Sequence, residues 1–88
     1  MAEIEITIQN KKGLHARATA KFVKIVDSYE CDMTVIKDGE SVDAGSIMGL
    51  LMLGAGMGSD IKITAYGEGE EDALAELADL INRKFDEE

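Results

Sequence analysis

The sequence predicts an α/β protein of the α+β type, an open-faced two-layer sandwich. A four-stranded antiparallel sheet should carry three helices on one face. Three observations point there. Segments that alternate polar and apolar residues are interleaved with segments of helical period, in the order β-α-β-β-α-β-α. The strands keep a polar face, with Glu3, Glu5, Thr7, Thr34, Lys62 and Thr64, so one side of the sheet is wet and the helices belong together on the other. The chain of 88 residues is long enough for one compact domain, expected over residues 1–88, with a modest core.

Each element has its own signal. In "EIEITI", residues 3–8, Ile4, Ile6 and Ile8 alternate with polar residues and should face the core. Residues 16–27 change to helical period, with Ala16, Thr19, Ala20, Val23 and Val26 read as one face and Arg17, Lys21 and Lys24 as another. "DMTVIKDGESVD" reads as two strands joined at Asp38-Gly39, a pair suited to the positive φ angles of a tight hairpin. "SIMGLLMLG" reads as a short helix, capped by Ser46 and stopped at Gly54. "DIKITAY" alternates again, with Ile61, Ile63 and Ala65 inward. In the last helix Leu74, Leu77, Ala78, Ile81 and Phe85 form an apolar stripe. Acids fill its first turn, and Arg83 and Lys84 are expected in its last, as the helix dipole favours.

Composition removes several functional classes. A formal charge of −9 disfavours a nucleic-acid binder, which needs a basic face. Cys31 is the single cysteine, so no internal disulfide or multi-cysteine zinc site is expected. One histidine with scattered carboxylates is a poor metal signature, and the G-x-S-x-G elbow of many hydrolases is missing. "GAGMGS", residues 54–59, lacks the endings and spacing of a nucleotide loop and reads as a tight turn. No cofactor is expected. Neither a secretion signal nor a run long enough to span a bilayer is read, so the expectation is a cytoplasmic monomer without membrane insertion.

The basic exception is "NKKGLHARATAKFVK", residues 10–24, with five positive charges, no negative one, and the sole histidine. His15 stands at the start of the first helix, where the N–H groups of Ala16 and Arg17 lack intrahelical partners. Those amides and the positive end of the helix dipole make an anion site, to which Arg17 adds a guanidinium suited to phosphate. The same field opposes an extra proton on the ring and keeps a nucleophilic nitrogen available. Phosphoryl transfer is mostly positioning and charge stabilisation, so little further machinery is needed. Taken from spacing alone, a plain capping role for His15 stays open.

"GLHARATAKFV" resembles the active-site motif of the HPr family, the histidine-containing phosphocarriers of the bacterial phosphoenolpyruvate phosphotransferase system. "SIMGLLMLG" resembles that family's second signature, and the likeness covers essentially the whole chain. The resemblance implies a phosphocarrier, itself no enzyme, that takes a phosphoryl group from Enzyme I on Nδ1 of His15. The group would pass to the A component of an enzyme II, in a sugar-transport or a nitrogen-related regulatory branch. Arg17 is implied as the phosphate-stabilising partner. The family's usual proline after the arginine is Ala18 here, which leaves the branch open.

Ser46 has two readings. As an N-cap it contributes ~1 kcal/mol; by resemblance it matches the serine that a dedicated kinase phosphorylates in part of the family. The apolar helix behind it can bury only one side, so Ile47, Met48, Leu51 and Met52 are candidate docking residues. Thr19, Ala20, Lys21 and Lys24 complete the expected partner face, the lysines as an electrostatic rim. Two alternatives compete: a non-catalytic regulatory module whose second helix binds partners, and a ferredoxin-like metal or RNA domain. The latter lacks the paired cysteines or strand aromatics it would need.

Overall fold

The computed structural model describes residues 1–87. Its elements are β1 (Ala2–Thr7), α1 (Ala16–Asp27), β2 (Asp32–Lys37), β3 (Glu40–Asp43), α2 (Ile47–Met52), β4 (Asp60–Tyr66) and α3 (Glu70–Asn82). The predicted order holds. The four strands form one sheet in the order β1-β4-β2-β3, and every neighbouring pair is antiparallel.

Register explains the two faces. Ile4 lies opposite Ile63, Ile63 opposite Val35, and Val35 opposite Val42, so one apolar rung crosses all four strands. The next rung, Glu3–Thr64–Thr34–Asp43, points the other way because side chains alternate along a strand. A slip of one residue would exchange the rungs and put the isoleucines in water, which is why this register is specified. The β2–β3 turn is made at Asp38 and Gly39, both at positive φ (51° and 83°), as the dipeptide predicts.

The helices cover the apolar rungs. Phe22 of α1, Leu50 of α2 and Leu77 and Ile81 of α3 are fully buried in one core with Val35, Ile61 and Ile63. Two expectations need correcting. The inward face of α1 is Ala18, Thr19, Phe22, Val23 and Val26, whereas Ala16 and Ala20 are exposed. The weak side-chain contrast of an alanine-rich first turn left the rotation about the axis undetermined; the large Phe22 sets it.

The second correction is at the end of α3. The helix stops at Asn82, so Phe85 lies outside it, and Arg83 and Lys84 do not form its last turn. Lys84, Phe85 and Asp86 all take positive φ, 57°, 54° and 60°. Such angles cost an L-residue ~1–2 kcal/mol each, because Cβ crowds the following carbonyl. Full burial of the Phe85 ring offsets part of that cost. Lys21 also donates from Nζ to the Phe85 carbonyl oxygen at 2.8 Å, tying the turn to α1. The turn carries the chain from α3 back to the start of α1.

Candidate functional site around His15

His15 owes its place to the loop before it. The Asn10 carbonyl accepts from Gly13 N–H at 3.2 Å, and the Leu14 N–H donates to the Ala55 carbonyl at 2.9 Å. Gly13 sits at φ +62°, and a Cβ there would lie 2.3 Å from the Ala55 oxygen and 2.6 Å from the Gly56 Cα. Glycine is required on both counts. The loop before α1 and the loop after α2 are thereby pressed together, which sets the start of one helix beside the end of the other.

His15 is the N-cap residue of α1, in extended conformation (φ −91°, ψ 179°), and its ring makes no capping bond. The Thr19 N–H meets the His15 carbonyl at 2.9 Å and opens the helical ladder. That leaves the N–H groups of Ala16, Arg17 and Ala18 in the first turn without a carbonyl within the helix. Ala18 is fully buried, and Arg17 is exposed. The His15 side chain retains 23% of its exposure, so the ring stays open to solvent.

The ring is held from one side. Its Nε2 meets Oε2 of Glu87, whose other oxygen accepts from Asn10 Nδ2 at 2.9 Å. Asn10, fully buried, uses its second amide hydrogen on the Gly13 carbonyl, also at 2.9 Å. The Asn10 hydrogen bond, followed by that of His15 and the nearby Arg17 charge, holds the Glu87 carboxyl below its usual range; partial burial opposes this. Beside the ring, Lys11, Lys12, Arg17, Lys21, Asp86 and Glu87 line a cleft of about 440 Å³. Four cations against two acids make it a positive basin on a protein of net charge −9.

With this geometry in place, likeness to known proteins becomes informative. The family model for the PTS HPr component phosphorylation site matches residues 2–83. The chain belongs to the HPr family. The phosphocarrier protein HPr of Pseudomonas aeruginosa is 50% identical over 88 residues, covering 99% of this chain and 98% of that one. The phosphocarrier protein NPr of Shewanella violacea is 38% identical over 85 residues, covering 97% and 93%. A crystal structure of HPr-C-His from Thermoanaerobacter tengcongensis superposes with a TM-score of 0.97 at 45% identity, covering 100% and 99%.

Thr19 needs correcting: it is fully buried, its hydroxyl donates to the Ala16 carbonyl at 2.9 Å, and it cannot meet a partner. It lies on the core side of α1, on the apolar face that the helical period already assigns to it. Ala20, Lys21 and Lys24 are exposed on α1, though the Lys21 ammonium is engaged with Phe85. On α2, Ile47, Met48, Leu51 and Met52 are all exposed, while Leu50 is buried. Ser46 caps that helix, its hydroxyl oxygen accepting from the Gly49 N–H at 3.0 Å. Among the described residues no cluster of three potential metal ligands occurs. Sequence reasoning missed Asn10 and Glu87. Glu87 lies 72 positions from His15 in an acid-rich chain, and no local pattern marks it.

Proposed function

We propose that this HPr-family chain, acting as a single domain over residues 1–88, accepts a phosphoryl group from phosphorylated Enzyme I on His15. It then delivers the group to an enzyme II A component. The observation that carries this reading is the juxtaposition at the start of α1: an open imidazole, unpaired first-turn amides and the exposed Arg17 beside a positive basin. Arriving phosphoryl oxygens meet amide hydrogens and a guanidinium already in place, so charge is stabilised without reorganisation. Basic groups on an acidic molecule also orient it toward acidic partners before contact.

The docking surface in this reading joins Ala20, Lys21 and Lys24 of α1 to Ile47, Met48, Leu51 and Met52 of α2. The two helices pack on each other, and in this reading their exposed residues together make the face a partner meets. The adaptable methionines suit a surface that meets Enzyme I and an A component in turn. Phosphorylation of Ser46 by a serine kinase would place a dianion at the edge of this face. The helix start tolerates it, while an acidic partner is repelled. The protein acts in the cytoplasm as a monomer, without nucleic acid, cofactor or membrane insertion; among the described residues no helix is long and apolar enough to cross a membrane. Both the sugar-transport and the nitrogen-related branch fit the surface.

The test is direct. Incubation with phosphoenolpyruvate and Enzyme I should add one acid-labile, base-stable phosphoryl group, abolished by His15→Ala. Labelling that persists in the variant overturns the assignment. The four exposed apolar residues of α2 also favour a second reading, a pure interaction module. It predicts that His15→Ala leaves every partner interaction and cellular phenotype intact.

A further inference from the structure

The contact between Glu87 and the ring sits on the side of the imidazole away from Nδ1. An imidazole has two nitrogens, and the neutral ring carries its hydrogen on one of them. Which one is settled by what faces it. At His15 the Nε2 atom faces a carboxylate oxygen, which can only accept. That carboxylate is itself fixed, because its second oxygen is taken by Asn10 Nδ2. The Asn10 amide cannot turn over to offer its oxygen, since both of its amide hydrogens are committed, to Glu87 and to the Gly13 carbonyl. Its own Oδ1 is left buried without a partner, a cost accepted to keep the amino group facing this way. Both hydrogen bonds therefore converge on Glu87, one oxygen accepting from buried Asn10 and the other left to accept from the ring.

We propose that Glu87 is the positioning residue of the phosphoacceptor: it places the imidazole hydrogen on Nε2 and leaves the lone pair on Nδ1. The inference rests on the phosphocarrier reading and deepens it. In the transfer the Nδ1 lone pair attacks phosphorus. A bond forms from Nδ1 to phosphorus as the bond from phosphorus to the donor breaks, and that electron pair leaves with the donor. No proton has to leave Nε2. The ring becomes a phosphorylated imidazolium whose positive charge lies against the Glu87 carboxylate, the role a buried acid has beside the histidine of a hydrolytic triad. The left-handed turn at Lys84–Asp86, anchored by Phe85 and Lys21, is what delivers Glu87 to this point.

Two replacements separate this role from mere support of the loop. Glutamine keeps the size of glutamate but offers one acceptor and one donor to two neighbours that both present hydrogens. Asn10 can only donate, so the amide oxygen turns to it and the amino group faces Nε2. The ring then has to carry its hydrogen on Nδ1, the wrong atom for attack. Alanine removes the preference without reversing it. A structural support would be damaged more by alanine than by glutamine; a tautomer selector is damaged more by glutamine.

The experiment records two-bond proton–nitrogen correlations of the His15 ring at alkaline pH, where imidazole is neutral, in the wild type, Glu87→Ala and Glu87→Gln. It also measures the initial rate of phosphoryl acceptance from phosphorylated Enzyme I. The expected tautomers are Nε2–H in the wild type, a mixture in the alanine variant and mainly Nδ1–H in the glutamine variant. The rate should fall about two- to fivefold with alanine and about tenfold or more with glutamine. The same tautomer in all three proteins, or a glutamine variant at least as fast as the alanine variant, overturns the proposal. If the wild type accepts no phosphoryl group at all, the phosphocarrier reading fails, while the ring spectra still decide whether Glu87 selects the tautomer.

Discussion

Single side chains here act through what they cannot do. Gly13 cannot become alanine without meeting the Ala55 carbonyl at 2.3 Å and a left-handed backbone at once. Gly13→Ala should therefore lose at least about 2 kcal/mol in chemical denaturation. It should also slow phosphoryl acceptance, because the displaced loop carries His15. Ser46 makes the opposite kind of contribution, one hydrogen bond at a helix start. Ser46→Ala should cost ~1 kcal/mol and leave the transfer rate at His15 unchanged. Ser46→Asp keeps an acceptor at the cap, so a slower transfer in that variant, at unaltered stability, reports the charge on the docking face. If acceptance from Enzyme I and delivery to the A component both keep their wild-type rates in Ser46→Asp, the regulatory reading of Ser46 loses its support.

Among the elements, α2 and the turn after α3 behave differently on replacement. The helix is six residues long and buries only Leu50. Its exposed methionines contribute little to folding, so Met52→Ala should change stability by no more than about 0.5 kcal/mol. The same substitution should weaken association with Enzyme I, readable as a higher KM for transfer with little change in kcat. Phe85 has the reverse profile. It is fully buried and holds a turn of three residues at positive φ, so Phe85→Ala should cost ~3–5 kcal/mol. Its release should also let Glu87 leave the ring, reproducing the tautomer mixture expected of Glu87→Ala. In the sequence the α3 pattern runs on through Phe85, because an apolar residue at helical spacing looks the same whether the backbone continues or reverses hand. Only the tertiary structure separates the two, by burying the ring beyond the end of the helix.

For the whole molecule, charge dictates the response to acid. Glu70 is held below its usual 4.5 first by the Gly67 N–H, and Glu87 below 4.5 first by Asn10. Asp86 is held below 3.8 first by Arg83. A carboxyl whose value is depressed by folding stabilises the fold in full above its unfolded value, and that contribution is lost as pH falls through the folded one. The midpoint of thermal unfolding should therefore be level near neutrality and decline below about pH 4.5. A midpoint that rises on acidification would show that relief of the net −9 charge outweighs these contacts. The strand faces, the Asp38-Gly39 hairpin, the Ser46 cap and the start of α1 at His15 were all legible in the sequence. Each depends on residues within a few positions of one another, where period, φ preference and unpaired amides act locally. The rotation of α1 that exposes Ala16 and Ala20, the reversal at Phe85, and the contacts of Glu87 with Asn10 and His15 were decided by tertiary structure alone. They join residues as far as 77 positions apart, through hydrogen bonds and core packing that come into existence only when the chain has closed on itself.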